Sequence, residues 1–138
     1  MTLSARSFLL ALLLATSGCS LHQATSPSPS SPTVMDRLWF GKAIPSGGEV
    51  TDQQWREFID EVVTPRFPDG LTLYRAQGQW RDPRGNLVRE QVLVLEVVHR
   101  AGAAADSAIQ AIADEYKRRF RQDAVLHVRG LVDIKLLE

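Results

Sequence analysis

From Thr51 to Val63 the apolar positions Trp55, Phe58, Ile59, Val62 and Val63 recur at three- and four-residue intervals, and Asp52, Arg56, Glu57, Asp60 and Glu61 take the other side. That is one helix with a single apolar stripe. Thr51-Asp52-Gln53-Gln54 has the form of a capping box at its start. Pro65 disfavours helical geometry at Thr64 and ends it. A second stripe, Ala105, Ala108, Ile109, Ile112, Ala113, Tyr116 and Phe120, predicts a helix over 103–121. Asp106 can cap it or oppose its N-terminal dipole, and Lys117, Arg118, Arg119 and Arg121 suit its C-terminal end.

Between these helices the pattern shortens. Leu38–Ile44 reads as a strand stopped by Pro45-Ser46-Gly47-Gly48. Leu71–Trp80 and Leu87–His99 read as two strands joined at Asp82-Pro83-Arg84-Gly85, where each residue suits a type I turn. A last strand begins near Ala124 and passes Val125, Leu126 and Val128, with a bulge expected at Gly130. The order strand-helix-strand-strand-helix-strand predicts an α+β, ferredoxin-like βαββαβ domain. Its build is a four-stranded antiparallel sheet with two helices on one face. An α+β sandwich with another strand order is the alternative.

Such a sheet leaves one face without helices, and that face should alternate apolar with polar. The third strand instead is apolar on both sides, with Val92 and Val94 pointing one way and Leu93 and Leu95 the other. A cover is therefore expected. A second copy packed sheet to sheet, a homodimer, is the simplest; the residues after Gly130 folding back are the alternative. Trp39, Phe40, Tyr74 and Trp80 could stack a ligand but read first as core.

The N-terminus reads as an address. Arg6 precedes the apolar run Phe8–Ala15, which is too short for a spanning helix, and Thr16-Ser17-Gly18 leads into Cys19, the single cysteine. This order resembles a bacterial lipoprotein signal over residues 1–18, with Thr16 where leucine is usual. Cys19 would be the lipidation site, and several acyl chains at about 0.8 kcal/mol per buried CH₂ make a lasting membrane anchor. Ser20 rather than Asp after Cys19 points, by the same resemblance, to the outer membrane facing the periplasm. Ten of the fifteen residues 20–34 are Ser, Thr or Pro, so the stretch after Cys19 offers little to bury and reads as a tether. In extended geometry it reaches roughly 45 Å. Residues 35–138 then form one domain.

Composition narrows the chemistry. Sixteen basic against sixteen acidic residues give no charge footprint for nucleic acid. One cysteine excludes an intramolecular disulfide and a cysteine metal cluster. His99 and His127 fall on strands that are not neighbours in the order 4-1-3-2, so no metal site is expected, and each reads as a solvated or hydrogen-bonded side chain. Gly-x-Ser-x-Gly and the phosphate-loop patterns do not occur, and no cofactor is implied. One polar cluster stands out on the hairpin: Gln79, Trp80 and Arg81 with Glu90 across the turn, and Arg66 at the other end of the strand. It could bind a small polar ligand, or serve as an ion pair fixing register.

Leu38-Trp39-Phe40-Gly41, Trp55-x-x-Phe58, Thr64-Pro65-Arg66-Phe67-Pro68-Asp69-Gly70-Leu71-Thr72 and Gly78-Gln79-Trp80 resemble the DUF3574 family of small bacterial exported proteins and lipoproteins. The resemblance covers most of 37–128 and is most specific in the Pro-Arg-Phe-Pro-Asp-Gly-Leu-Thr run. It implies one domain with a cell-envelope address, and brings no activity or functional residues. Two readings follow. The first is a non-enzymatic envelope lipoprotein whose tethered domain binds a protein or small ligand. The second is a small enzyme of the dimeric ferredoxin-like type.

Overall fold

The computed structural model describes residues 31–82 and 84–138. Strand β1 (Thr33–Gly41) leads through an isolated bridge between Ala43 and Glu49 to helix α1 (Asp52–Phe58). The capping box is formed: Gln54 N donates to Thr51 Oγ1 at 3.2 Å, and Thr51 N donates to Gln54 Oε1 at 2.9 Å. From Ile59 to Val63 the helix widens into a π turn, closed by Thr64 N on the Ile59 carbonyl at 2.9 Å. Strands β2 (Thr72–Arg81) and β3 (Leu87–Arg100), helix α2 (Ala103–Phe120) and strand β4 (Leu126–Leu131) complete the chain. Among the described residues no helix is long and apolar enough to cross a membrane.

The strands form one antiparallel sheet in the order β2-β3-β1-β4. Both helices pack on one face, so the ferredoxin-like architecture expected from the element order is the one observed. The apolar stripes of α1 and α2 meet Leu38, Phe40, Leu93, Leu95 and Val97 of the sheet. At the centre, the Tyr116 ring lies 4.6 Å from that of Phe40, 5.3 Å from Phe58 and 4.8 Å from Phe120. Burying four such rings supplies both apolar area and favourable tilted and edge-on contacts. The Tyr116 hydroxyl, raised well above its usual pKa by burial and then by the Glu90 charge, donates to the Gly41 carbonyl at 3.0 Å.

Four expectations change. Strand β1 begins at Thr33, inside the stretch read as tether, because Thr33 and Val34 pair with Arg100 and His99. Gly130 carries no bulge; it stands in register opposite Met35, and Leu131 opposite Val34. Of the four aromatics read as core only Phe40 is; Trp39, Tyr74 and Trp80 lie on the helix-free face. The C-terminal residues do not cover that face. Val132 runs on beside Thr33, Ile134 lines a cleft described below, and Leu136 and Leu137 are exposed.

Candidate functional site

Alternation along β1 turns Val34, Asp36, Leu38 and Phe40 toward the helices, and all four are buried. Asp36 is thus a carboxylate at a core position, 0% exposed. A buried charge is tolerated only with partners, and the register supplies them. Arg129 stands directly opposite on β4, His127 is opposite Leu38, and His99 is opposite Val34 on β3. Asp36 Oδ1 accepts from Arg129 Nε at 2.7 Å and His127 Nε2 at 2.8 Å; Oδ2 accepts from Arg129 Nη2 at 2.8 Å and His99 Nε2 at 2.7 Å. Four donors fill the four acceptor positions of a carboxylate. Burial pushes the Asp36 carboxyl upward, but the bonds from Arg129, His127 and His99 outweigh it and hold it well below the usual carboxylate range. Arg129 reaches on to Asp106 of α2 at 2.6 Å, and its bonds to Asp36 and Asp106 raise its already high pKa. Asp106 therefore ties helix to sheet rather than capping α2.

The two histidines differ. His99 Nδ1 is 2.8 Å from the Arg100 carbonyl while Nε2 faces Asp36. Both partners are oxygen acceptors, so both ring nitrogens of His99 are engaged. His127 gives Nε2 to Asp36, and its Nδ1 has no hydrogen-bond partner among the described residues. Strands β3 and β4 are indeed not neighbours, yet both rings converge on the strand between them. No group of three His, Cys, Asp or Glu side chains among the described residues is placed to hold a metal ion. The acceptor positions of Asp36 are taken by N–H donors instead.

Each histidine lines a cleft beside α2. The larger, about 540 Å³, lies between the turn at Arg66–Gly70, the end of β3 at Val98–Arg100, and Ala104, Ala105 and Ala108. Phe67 packs against the His99 ring with centroids 5.3 Å apart. Arg66 uses one N–H on the Val62 carbonyl at 2.6 Å, and Arg100 uses one on the Ser31 carbonyl at 3.0 Å. Each guanidinium has five such donors, so both keep donors for a ligand. The smaller cleft, about 230 Å³, is lined by Gln110, Lys117, Asp123 and His127.

The residues singled out from the sequence fall in separate places. Cys19 lies outside the described residues. Arg66 lines the larger cleft. Gln79, Trp80, Arg81 and Glu90 are on the β2-β3 hairpin, at the far end of the sheet from Arg66. There Trp80 Nε1 donates to Glu90 Oε1 at 2.9 Å, and Ala43 N donates to Glu90 Oε2 at 3.3 Å. Gln79 accepts from Arg89 at 2.9 Å, and Arg81 donates to the Gly85 carbonyl at 3.1 Å. Arg81 and Glu90 stand on opposite faces, because Glu90 is opposite Gly78 and shares its face with Trp80. Glycines make room: a Cβ on Gly41 would lie 2.7 Å from Glu90 Oε2, and one on Gly78 would lie 2.6 Å from Val92 Cγ2. Sequence reasoning missed Asp36 and Arg129. The available signal was an acid at an inward position of the Val34-x-Asp36-x-Leu38-x-Phe40 alternation.

Comparison with known proteins bears on fold and family. The structure is similar to a phage SAM lyase in complex with S-methyl-5′-thioadenosine, with a TM-score of 0.61 at 15% identity over 73% of this chain and 82% of that one. The apo lyase gives 0.55 at 14% identity over 71% and 79%. CutA from Synechococcus elongatus PCC7942 gives 0.49 at 8% identity over 75% and 79%. At such identities the likeness to the two lyase structures shows a common fold alone. No curated protein sequence matches the chain. The model of DUF3574, a protein family of unknown function, matches residues 35–135, and the chain belongs to that family.

Proposed function

We propose that this chain is a lipid-anchored recognition protein of the bacterial cell envelope. Cys19 carries the acyl chains, the Ser/Pro-rich stretch up to β1 holds the domain off the outer membrane on its periplasmic side, and the cleft at Arg66–Gly70 takes a small anionic ligand. The observation that carries the binding reading is how the polar groups at this cleft are employed. His99 has both nitrogens engaged, and Asp36 behind it has every acceptor position filled. These groups hold shape and leave no free base, while Arg66 and Arg100 keep donors suited to a carboxylate or phosphate.

The test is amide chemical-shift mapping of the detergent-solubilised protein titrated with citrate and with inorganic phosphate. Shifts confined to residues 66–70 and 98–106, lost in an Arg66→Gln/Arg100→Gln variant, are expected. Absence of shifts there with either anion refutes the ligand class. For the anchor, Cys19→Ser should release the protein from the membrane fraction; unchanged co-sedimentation refutes lipidation.

A second reading, a small enzyme, is favoured by one observation. His127 is oriented through Nε2 by a buried carboxylate and lines the smaller cleft with Lys117. A histidine so held can accept a proton at its other nitrogen. Binding of S-methyl-5′-thioadenosine, the molecule bound by the similar lyase, with chemical shifts at Gln110, Lys117 and His127, would favour this reading over the first.

A further inference from the structure

The helix-free face of the sheet is apolar beyond what a solvated face requires. Tyr74 is 40% exposed, Trp80 47%, Val98 40%, Leu126 61% and Val128 47%. Beneath them Val92 and Val94 are already buried. The charged groups in the middle of the face have partners within it. Arg37 Nε donates to Glu96 Oε2 at 2.8 Å, with its guanidinium 5.7 Å over the Trp39 ring, and Glu90 is held by Trp80. Charges already paired within the face cost less to take out of water than unpaired ones.

We propose that two copies of this chain pair through this face, about a two-fold axis running along the strands between β1 and β3. The registers make the face complementary to itself. One cross-strand row reads Tyr74, Val94, Trp39, Leu126, and the next reads Thr72, Glu96, Arg37, Val128. Rotation about that axis lays each row on its own reverse. Trp39 then stands over the Val94 position of the second copy, Tyr74 covers Leu126, and Arg37 meets Glu96. The two ion pairs become a ring of four alternating charges. A central patch of one cation beside one anion suits a copy of itself better than a partner of single sign, such as an anionic lipid surface. Strand spacings make the paired area roughly 19 by 27 Å, on the order of 500 Å² in projection before side-chain relief is counted. A standard interface buries about 800 Å² of accessible surface per partner. This pairing leaves the smaller cleft and the Arg66–Gly70 and α2 walls of the larger one on the outside.

Sedimentation of the full-length chain in density-matched detergent tests the pairing. The wild type should sediment as a dimer. Arg37→Glu and Glu96→Arg should each weaken the dimer about 100-fold or more, because like charges then crowd the axis. An equimolar mixture of the two variants should restore dimers of mixed composition. The double variant Arg37→Glu/Glu96→Arg should dimerise alone. Circular dichroism of each variant separates misfolding from loss of pairing. A monomeric wild type, or folded single variants that do not associate on mixing, overturns the proposal.

Discussion

Replacing Asp36 with Asn keeps the shape of the side chain and removes its charge. The amide has one acceptor oxygen where the carboxylate has two, and its NH₂ would point donors at the donors of Arg129 or the histidines. Arg129 keeps Asp106, but His99 and His127 lose their carboxylate in a site without water contact at Asp36. Removing one member of a buried ionic cluster costs about 3–5 kcal/mol. Domains of this size have roughly 5–15 kcal/mol in all. The midpoint of thermal unfolding should therefore fall by roughly 12–40 °C, at about 4–8 °C per kcal/mol. The pH dependence carries the sign. The folded carboxyl lies far below its unfolded value, so its contribution is complete above about pH 4 and is lost as pH falls toward the folded pKa. The gap between wild type and Asp36→Asn should close by about 1.4 kcal/mol per pH unit below about pH 4. Urea unfolding at a series of pH values reads both quantities. A gap under about 1 kcal/mol at pH 7, or one unchanged by acid, would refute the assignment of Asp36 as the ionised hub.

The glycines on the helix-free face should respond unequally. Gly78→Ala drives its Cβ into the stiff Val92 side chain and should cost about 1–3 kcal/mol, whereas Gly41→Ala pushes the Glu90 carboxylate off the Trp80 and Ala43 donors and should cost about 0.5–1.5 kcal/mol; equal urea midpoints would contradict this. Tyr116→Phe leaves the Gly41 carbonyl without its hydroxyl donor and should cost about 0.5–1.5 kcal/mol with the core ring retained, measured by urea unfolding. Thr51→Ala removes the cap of α1 and should cost about 0.5–2 kcal/mol, with faster hydrogen exchange at Gln54.

The features legible in the sequence are those encoded within a few residues. Thr51 and Gln54 announce a helix start because both halves of the box are three positions apart. The turn after β2 is legible because Asp82 serves the amides of Arg84 and Asn86 through one carboxylate oxygen, at 2.9 and 2.8 Å. Strand order follows from the alternation of elements. The π turn is different, since Pro65 dictates where the helix stops but not how its last carbonyls are shared. The Asp36 cluster was beyond such reading, because its members are up to 93 positions apart and are joined by register. Starting β1 at Leu38, on the strength of its aromatic run, also left Asp36 outside the strand that makes it an inward residue.

The motifs that carry the family resemblance divide between two ends of the sheet, and this division bears on where the proposed ligand would bind. Gly41, Gly78 and Trp80 surround Glu90. There Gly41 admits a carboxylate that the Trp80 indole and the Ala43 amide then fix, which ties β2 and the segment after β1 to β3 in one register. Every group in that cluster is used on another, and its geometry is that of a lock. The Arg66–Asp69 motif lies about nine residues along β3, roughly 30 Å away, where the chain leaves the π turn and walls a cleft. Its guanidinium spends one donor on the Val62 carbonyl. The acid at the hairpin end is closed off, while the arginine at the other end keeps donors. Asp36 belongs to the open end, although it never reaches solvent itself. By gathering His99, His127 and Arg129 it sets the orientation of the ring on each side of α2, so the two clefts share one buried anchor, and a ligand that moved either ring would be opposed by the whole cluster. Rigidity of that kind lowers the ordering cost of binding, which is why the larger cleft, rather than the hairpin, is where a ligand should be sought.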